Sequence, residues 1–212
     1  MGKRNEPDSD LGSKIETDPL RYLRKRMYRA GNRFYGCEIK FFHLDILKLD
    51  LKDFVDQLSS MGFTHFIVLE RKNYLRKIVS SKVAKLSQYH IKPGEAAPSI
   101  QIHLDPQQIT LERHTRTLIE WLEEYQNQFN SLEKLLEDYQ TLKLTYEEDI
   151  SSSPRIAYQQ VLKFIGIEVS DENGPAIRYA KTNSRQLSQI ITNFDEVEAA
   201  LRKTPFEWML CE

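Results

Sequence analysis

The sequence predicts an α/β fold, a parallel sheet with flanking helices, and three observations predict it. The apolar run Phe66-Ile-Val-Leu69 has the make-up of a parallel strand covered on both faces, and it empties directly into a basic turn and a helix. Segments of strand character alternate with helical ones from Glu38 to Gly166, the order that gives parallel strands joined by right-handed crossovers. The helices are punctuated at both ends, by Asp18-Pro19, Asp105-Pro106 and Ser153-Pro154 at their starts and by Gly31, Gly62 and Gly166 at their stops.

Taken in order, Met1 to Thr17 is polar and contains Gly2, Pro7 and Gly12, which reads as a mobile lead-in to a single domain over 18–212. Asp18-Pro19 opens a basic amphipathic helix with Tyr22, Leu23 and Met27 on its apolar side, ended by Gly31. Glu38 to His43 reads as a strand. Leu51 to Met61 reads as a helix with Leu51, Phe54, Val55 and Leu58 facing inward. After the strand that ends at Glu70 comes a helix from Tyr74 to Tyr89, then a loop over Lys92 to Pro98 and a short strand from Ser99 to Leu104. Asp105-Pro106 opens the longest helical stretch, with Leu111, Leu118, Leu122, Tyr125, Phe129, Leu132, Leu136 and Tyr139 at three-four spacing and an interruption signalled at Asn130-Ser131. Trp121 and Leu135 broaden that stripe, so packing within the fold is its first reading; docking of a partner or a second copy through 106–140 is the alternative. Leu142 to Tyr146 is a further strand, and Ser153-Pro154 caps a helix that reaches Phe164 and closes at Gly166.

Bulk properties exclude several classes. The 212 residues carry 30 basic and 31 acidic side chains, so no net field attracts nucleic acid or an acidic membrane. Cys37 and Cys211 are too few and too isolated for a disulfide framework or a zinc site, which fits a reducing, cytoplasmic setting. No apolar run approaches the roughly 18 residues of a membrane span, and the start is unlike a signal peptide. The histidines His65, His90, His103 and His114 are scattered without ligand spacing, so no metal is expected.

Chemistry concentrates in two basic clusters. Arg71, placed just past a strand's carboxyl end where open α/β sheets bind ligands, can grip two phosphate oxygens at once, and Ser80 on the next helix offers a hydroxyl. Lys72 is the neighbouring cation and competes for the role; the planar fork of Arg71 favours Arg71. The second cluster, Arg178-Tyr-Ala-Lys181-Thr-Asn183-Ser-Arg185, mixes cations with hydroxyl and amide donors suited to an anionic group.

Three stretches in this order resemble the sulfotransferase family that uses 3′-phosphoadenosine 5′-phosphosulfate (PAPS). They are Leu69-Glu-Arg71 with Ser80; Tyr146-Glu-Glu-Asp-Ile150 followed by Pro154 and Phe164-Ile-Gly166; and the tail from Lys181 through Asn193 to Leu210, which is similar to the family's bacterial branch. The resemblance covers roughly Gly36 to the C-terminus and implies a P-loop NTPase-like architecture. It further implies PAPS as co-substrate without a metal, and a hydroxyl acceptor on a small molecule, lipid or carbohydrate. Arg71 and Ser80 would then hold the nucleotide's 3′-phosphate, while Lys181, Asn183 and Arg185 close over it. The resemblance also implies a spacing of eight between the family's arginine and serine, which here Lys72 and Ser80 have. Lys40 and His43 match the place where many members set a lysine beside a catalytic histidine, although the spacing here is three instead of two.

One family feature has no counterpart. The phosphosulfate-binding loop is missing, because Gly31-Asn-Arg-Phe-Tyr-Gly36 has P-loop glycine spacing but continues Cys-Glu in place of Lys-Ser/Thr and reads as a turn. The expectation is that this strand and loop lie upstream, or that the chain is a degenerate, noncatalytic relative that binds a nucleotide or a partner.

Overall fold

Capping chemistry sets the first three helices. The computed structural model describes residues 18–86, 99–168 and 185–211, and the chain divides into two compact units at Thr64/His65. In the first, α1 (Pro19–Ala30) starts where the Asp18 carboxylate accepts the Arg21 N–H at 2.8 Å and stops at Gly31, whose φ of 60° costs little without a Cβ. Helix α3 (Leu51–Ser60) starts in the same way, with Asp50 accepting from the Asp53 N–H at 3.0 Å, and turns Phe54, Val55 and Leu58 inward as their spacing predicts.

Between them the strand expected over Glu38 to His43 is a correction. Lys40 is extended, but Phe41 begins a helix, α2 (Phe41–Leu47), that buries Leu44. Ile39 stays exposed, and no strand pairs with this stretch among the described residues. An alternating pattern specifies a strand only when a neighbour completes its hydrogen bonds. Here the Lys40 N–H is satisfied locally, by the His43 ring, and the chain coils.

In the second unit β1 (Phe66–Glu70) leads into α4 (Tyr74–Leu86), a hairpin of β2 (Ile109–Leu111) and β3 (His114–Arg116), and the long helix α5 (Leu118–Leu135). Strand β4 (Thr141–Thr145) follows and pairs in parallel with β1, placing Phe66 opposite Thr141 and Glu70 opposite Thr145. A π-helical turn, Tyr146–Ile150, joins β4 to α6 (Pro154–Phe164), and the chain ends through α7 (Leu187–Ile190), α8 (Phe194–Leu201) and a 3₁₀ turn at Glu207–Leu210. The fold is thus mixed α/β around a small, two-stranded parallel sheet.

Three expectations change. The run Phe66 to Leu69 is covered on one face only: Val68 is buried, whereas Ile67 and Leu69 are 44% and 51% exposed. Ser99 to Leu104 is not a strand; it makes a single bridge, Ile102 opposite Ile191, in which the Ile102 N–H donates to the Ile190 carbonyl at 2.8 Å. Asp105-Pro106 caps a turn, with Asp105 accepting from the Gln107 N–H at 2.9 Å, and the β2–β3 hairpin intervenes before the helix begins. That hairpin turns on Glu112 and Arg113 with φ of 50° and 72°, left-handed positions usually given to Asn-Gly, so its sequence hides the reversal.

Helix α5 is capped at its true start. Thr117 accepts from the Glu120 N–H while Glu120 accepts from the Thr117 N–H at 2.8 Å, the reciprocal capping box, and the helix runs unbroken past Asn130. Its inner face carries Leu118, Trp121, Leu122, Tyr125 and Phe129, all buried, which agrees with packing within the fold. Opposite them Tyr74, Leu75, Ile78, Val79 and Val83 of α4 are buried, and the Tyr74 ring stacks on Phe129 at 6.2 Å and tilts against Tyr125 at 5.7 Å. Fully burying a side chain of this size contributes roughly 1.5–3 kcal/mol, so this face is a principal source of the unit's stability. Its effect on the site is to fix α4, and with it Ser80, behind the carboxyl end of β1.

Candidate functional site: the turn between β1 and α4

Parallel pairing brings the carboxyl ends of β1 and β4 side by side, since Glu70 lies opposite Thr145. One residue further, the Arg71 guanidinium carbon lies 4.4 Å from the centre of the Tyr146 ring, a cation–π contact. From there Arg71 Nη1 donates to Ser80 Oγ at 3.3 Å, nine residues along the chain on the inner turns of α4. Lys72, the competing candidate, points elsewhere: its Nζ lies 3.7 Å from Glu148 in an exposed ion pair. Arg71 is only 23% exposed, so its charge acts across a poorly screened environment.

Glu147 completes the arrangement. Its two carboxylate oxygens accept the backbone N–H groups of Lys72 and Asn73, each at 3.1 Å, and Oε1 lies 4.0 Å from Arg71 Nε. Asn73 in turn caps α4 by accepting from the Arg76 N–H at 2.9 Å, and its Nδ2 donates to the Met209 carbonyl at 2.9 Å. The π-helical turn that presents Tyr146 and Glu147 is itself pinned, because Asp149 accepts the Thr145 N–H at 2.7 Å and the Gln160 side-chain amide at 3.2 Å. Tyr146, Glu147 and Asn73 are site residues that spacing alone missed. The signal was a Tyr-Glu pair directly after the second strand, legible as local chemistry only once the two strand ends are known to be neighbours.

The remaining predicted residues fall in different places. Lys181 and Asn183 lie outside the described residues. Arg185 donates from Nη1 to Ser99 Oγ at 2.9 Å and from Nη2 to the Ile100 carbonyl, so it ties the C-terminal segment to the 99–100 stretch. Asn193 does the same one step on, exchanging hydrogen bonds with the Leu104 N–H at 2.9 Å and the Leu104 carbonyl at 3.0 Å. An open cleft of about 470 Å³ beside it, lined by Asn193, Asp195 and Glu196, is acidic and suits an anion poorly.

Lys40 and His43 belong to the first unit, at the N-terminus of α2. His43 Nδ1 accepts the Lys40 N–H at 3.2 Å, and its ring meets Phe42 edge-on at 4.2 Å. In neutral imidazole an accepting Nδ1 places the proton on Nε2, so the basic lone pair is the one engaged in capping. Among the described residues no group of three or more His, Cys, Asp and Glu is arranged to hold a metal ion, and no helix is long and apolar enough to cross a membrane.

Chemically, the β1–α4 turn can offer one oxyanion a guanidinium and a hydroxyl, while the N–H groups at the start of α4 are engaged by Glu147 and Asn73. Comparison with protein-family models, curated proteins and solved structures finds no match.

Proposed function

We propose that this chain binds a 3′-phosphorylated adenine nucleotide through Arg71 and Ser80, in the manner of a PAPS-dependent sulfotransferase of P-loop NTPase-like architecture. The observation that carries the proposal is the 3.3 Å approach of Arg71 Nη1 to Ser80 Oγ at the carboxyl end of β1. Two donors of the kinds that hold a phosphate monoester converge there from separate elements, on the edge of the sheet where ligands of α/β proteins dock. Lys181 and Asn183 are the further cation and amide proposed to close over the nucleotide, from the segment that resembles the family's tail.

In the transfer itself, the acceptor's hydroxyl oxygen bonds to sulfur as the bond from sulfur to the bridging phosphate oxygen breaks. Adenosine 3′,5′-bisphosphate leaves and the hydroxyl proton passes to a base. The resemblance offers Lys40 and His43 for that base; both belong to the first unit, whereas Arg71 and Ser80 belong to the second. A noncatalytic nucleotide-binding role is the second reading, and the engagement of His43 Nδ1 with the Lys40 N–H favours it.

Titration calorimetry with adenosine 3′,5′-bisphosphate tests the shared part of both readings. Arg71→Ala should weaken binding about tenfold to a hundredfold and Ser80→Ala about threefold to tenfold, the range of charged and neutral hydrogen bonds. Absence of heat with the intact protein would reject both readings. Sulfate transfer from radiolabelled PAPS to a panel of hydroxyl acceptors separates them: turnover rejects the noncatalytic reading, and binding without turnover selects it.

A further inference from the structure

We propose that Glu147 is the positioning residue of the phosphate site, acting through Arg71; the inference rests on the nucleotide-binding reading above. A guanidinium has two edges for an oxyanion, the side-on pair Nε/Nη2 and the end-on pair Nη1/Nη2. Here Glu147 Oε1 faces Nε at 4.0 Å, Tyr146 underlies the plane at 4.4 Å, and Nη1 is turned toward Ser80. The carboxylate thereby lies beside the buried Nε at ion-pair distance, without a hydrogen bond to it, and its charge favours the orientation that turns Nη1 toward the hydroxyl.

The same carboxylate fixes the turn that carries Arg71. Each oxygen takes one backbone N–H, from Lys72 and Asn73, so one group sets both the backbone position and the side-chain orientation of the cation. A phosphate monoester bound between Nη1 and Ser80 Oγ would meet a guanidinium already held in place. Glu147 stays on its amides when the phosphate binds.

This arrangement also bears on specificity. With a carboxylate beside the side-on edge, an anion is repelled there and the favoured approach to Arg71 is next to Ser80, so a phosphate that cannot also reach that hydroxyl gains less from it. Adenosine 3′,5′-bisphosphate should therefore bind better than adenosine 5′-monophosphate, and the ratio should depend on Glu147.

The test uses the intact chain in four forms: unaltered, Glu147→Gln, Arg71→Ala and the double variant. Calorimetry with adenosine 3′,5′-bisphosphate should show Glu147→Gln weakening binding about fivefold to tenfold when Arg71 is present, and less than about twofold when it is alanine. The preference over adenosine 5′-monophosphate should fall by a similar factor. Equal weakening in both backgrounds would reduce Glu147 to a structural role and overturn the proposal. Tighter binding by Glu147→Gln would also overturn it, by making the carboxylate a competitor of the phosphate.

A ligand-free readout keeps this inference apart from the nucleotide reading. In nitrogen-15 spectra of the unliganded protein, the Arg71 Nε–H should exchange slowly with solvent, and Glu147→Gln should speed that exchange while backbone amide spectra stay native. A protected Nε–H in a protein that binds no bisphosphate would leave the positioning role standing and sink the ligand. A fast-exchanging Nε–H in the unaltered protein would sink the positioning role itself.

Discussion

Asn73 Nδ2 donates to the Met209 carbonyl across 136 residues of sequence, a buried bond that ties the start of α4 to the C-terminal 3₁₀ turn. Because the same side chain caps α4 through the Arg76 N–H, one amide joins the β1–α4 turn to the end of the chain. Asn73→Ala removes a helix cap and leaves a buried carbonyl unpaired, and each of these typically costs about 1–2 kcal/mol. Urea unfolding should therefore show a loss of about 2–4 kcal/mol. Asn73→Asp keeps the cap but turns a carboxylate oxygen toward the Met209 carbonyl, and it should recover little of that loss.

Trp121 tests the hairpin that the sequence concealed. Its Nε1–H donates to the Ile109 carbonyl at 2.9 Å, so the longest helix is bonded to β2 through a buried indole. Trp121→Phe keeps most of the ring area and strands the carbonyl, for an expected loss of about 1–3 kcal/mol in chemical denaturation. Trp121→Ala should cost about 3–5 kcal/mol through the cavity it leaves.

Acid sensitivity should trace in part to Glu120. Hydrogen bonds from the Thr117 N–H and hydroxyl hold its carboxyl below the usual 4.5. A depressed folded value means that the unfolded chain takes up the proton first as pH falls. Glu120 therefore contributes its full stabilisation above the unfolded value, and loses it as pH drops through the folded one. Stability curves measured from about pH 6 to about pH 3 should be flatter for Glu120→Gln than for the unaltered chain, and an identical slope would contradict the capping role.

The alkaline side should report Tyr74. Burial first, then its hydrogen bond to Glu70, raises the phenol well above the ordinary value of 10.0. The unfolded chain ionises first as pH rises, so this stabilisation is complete below pH 10.0 and declines above it. Tyr74→Phe should lose stability at neutral pH and lose less on moving to about pH 11, as followed by urea unfolding at each pH.

Much of this architecture was legible locally. Asp18-Pro19, Ser153-Pro154 and the glycines at 31, 62 and 166 mark helix ends because capping depends on neighbours within a few residues, and the helices they bound form as expected. Errors arose where pairing decides. Glu38 to His43 and Ser99 to Leu104 have strand-like residues, but neither meets a strand among the described residues, and Glu112-Arg113 makes a left-handed turn without the residues that announce one. The site divides along the same line. Arg71 and Ser80 share one strand–helix connection and were paired on the chemistry of the guanidinium although spacing pointed to Lys72, whereas Tyr146 and Glu147 reach Arg71 only through the β1–β4 register.

The central claim is that Arg71 and Ser80 hold one phosphate group together. A crystal structure of the intact chain with adenosine 3′,5′-bisphosphate tests it most directly. The account predicts a 3′-phosphate oxygen within about 3 Å of both Arg71 Nη1 and Ser80 Oγ. A bisphosphate bound with Arg71 still closed on Ser80 and its phosphates elsewhere would contradict it.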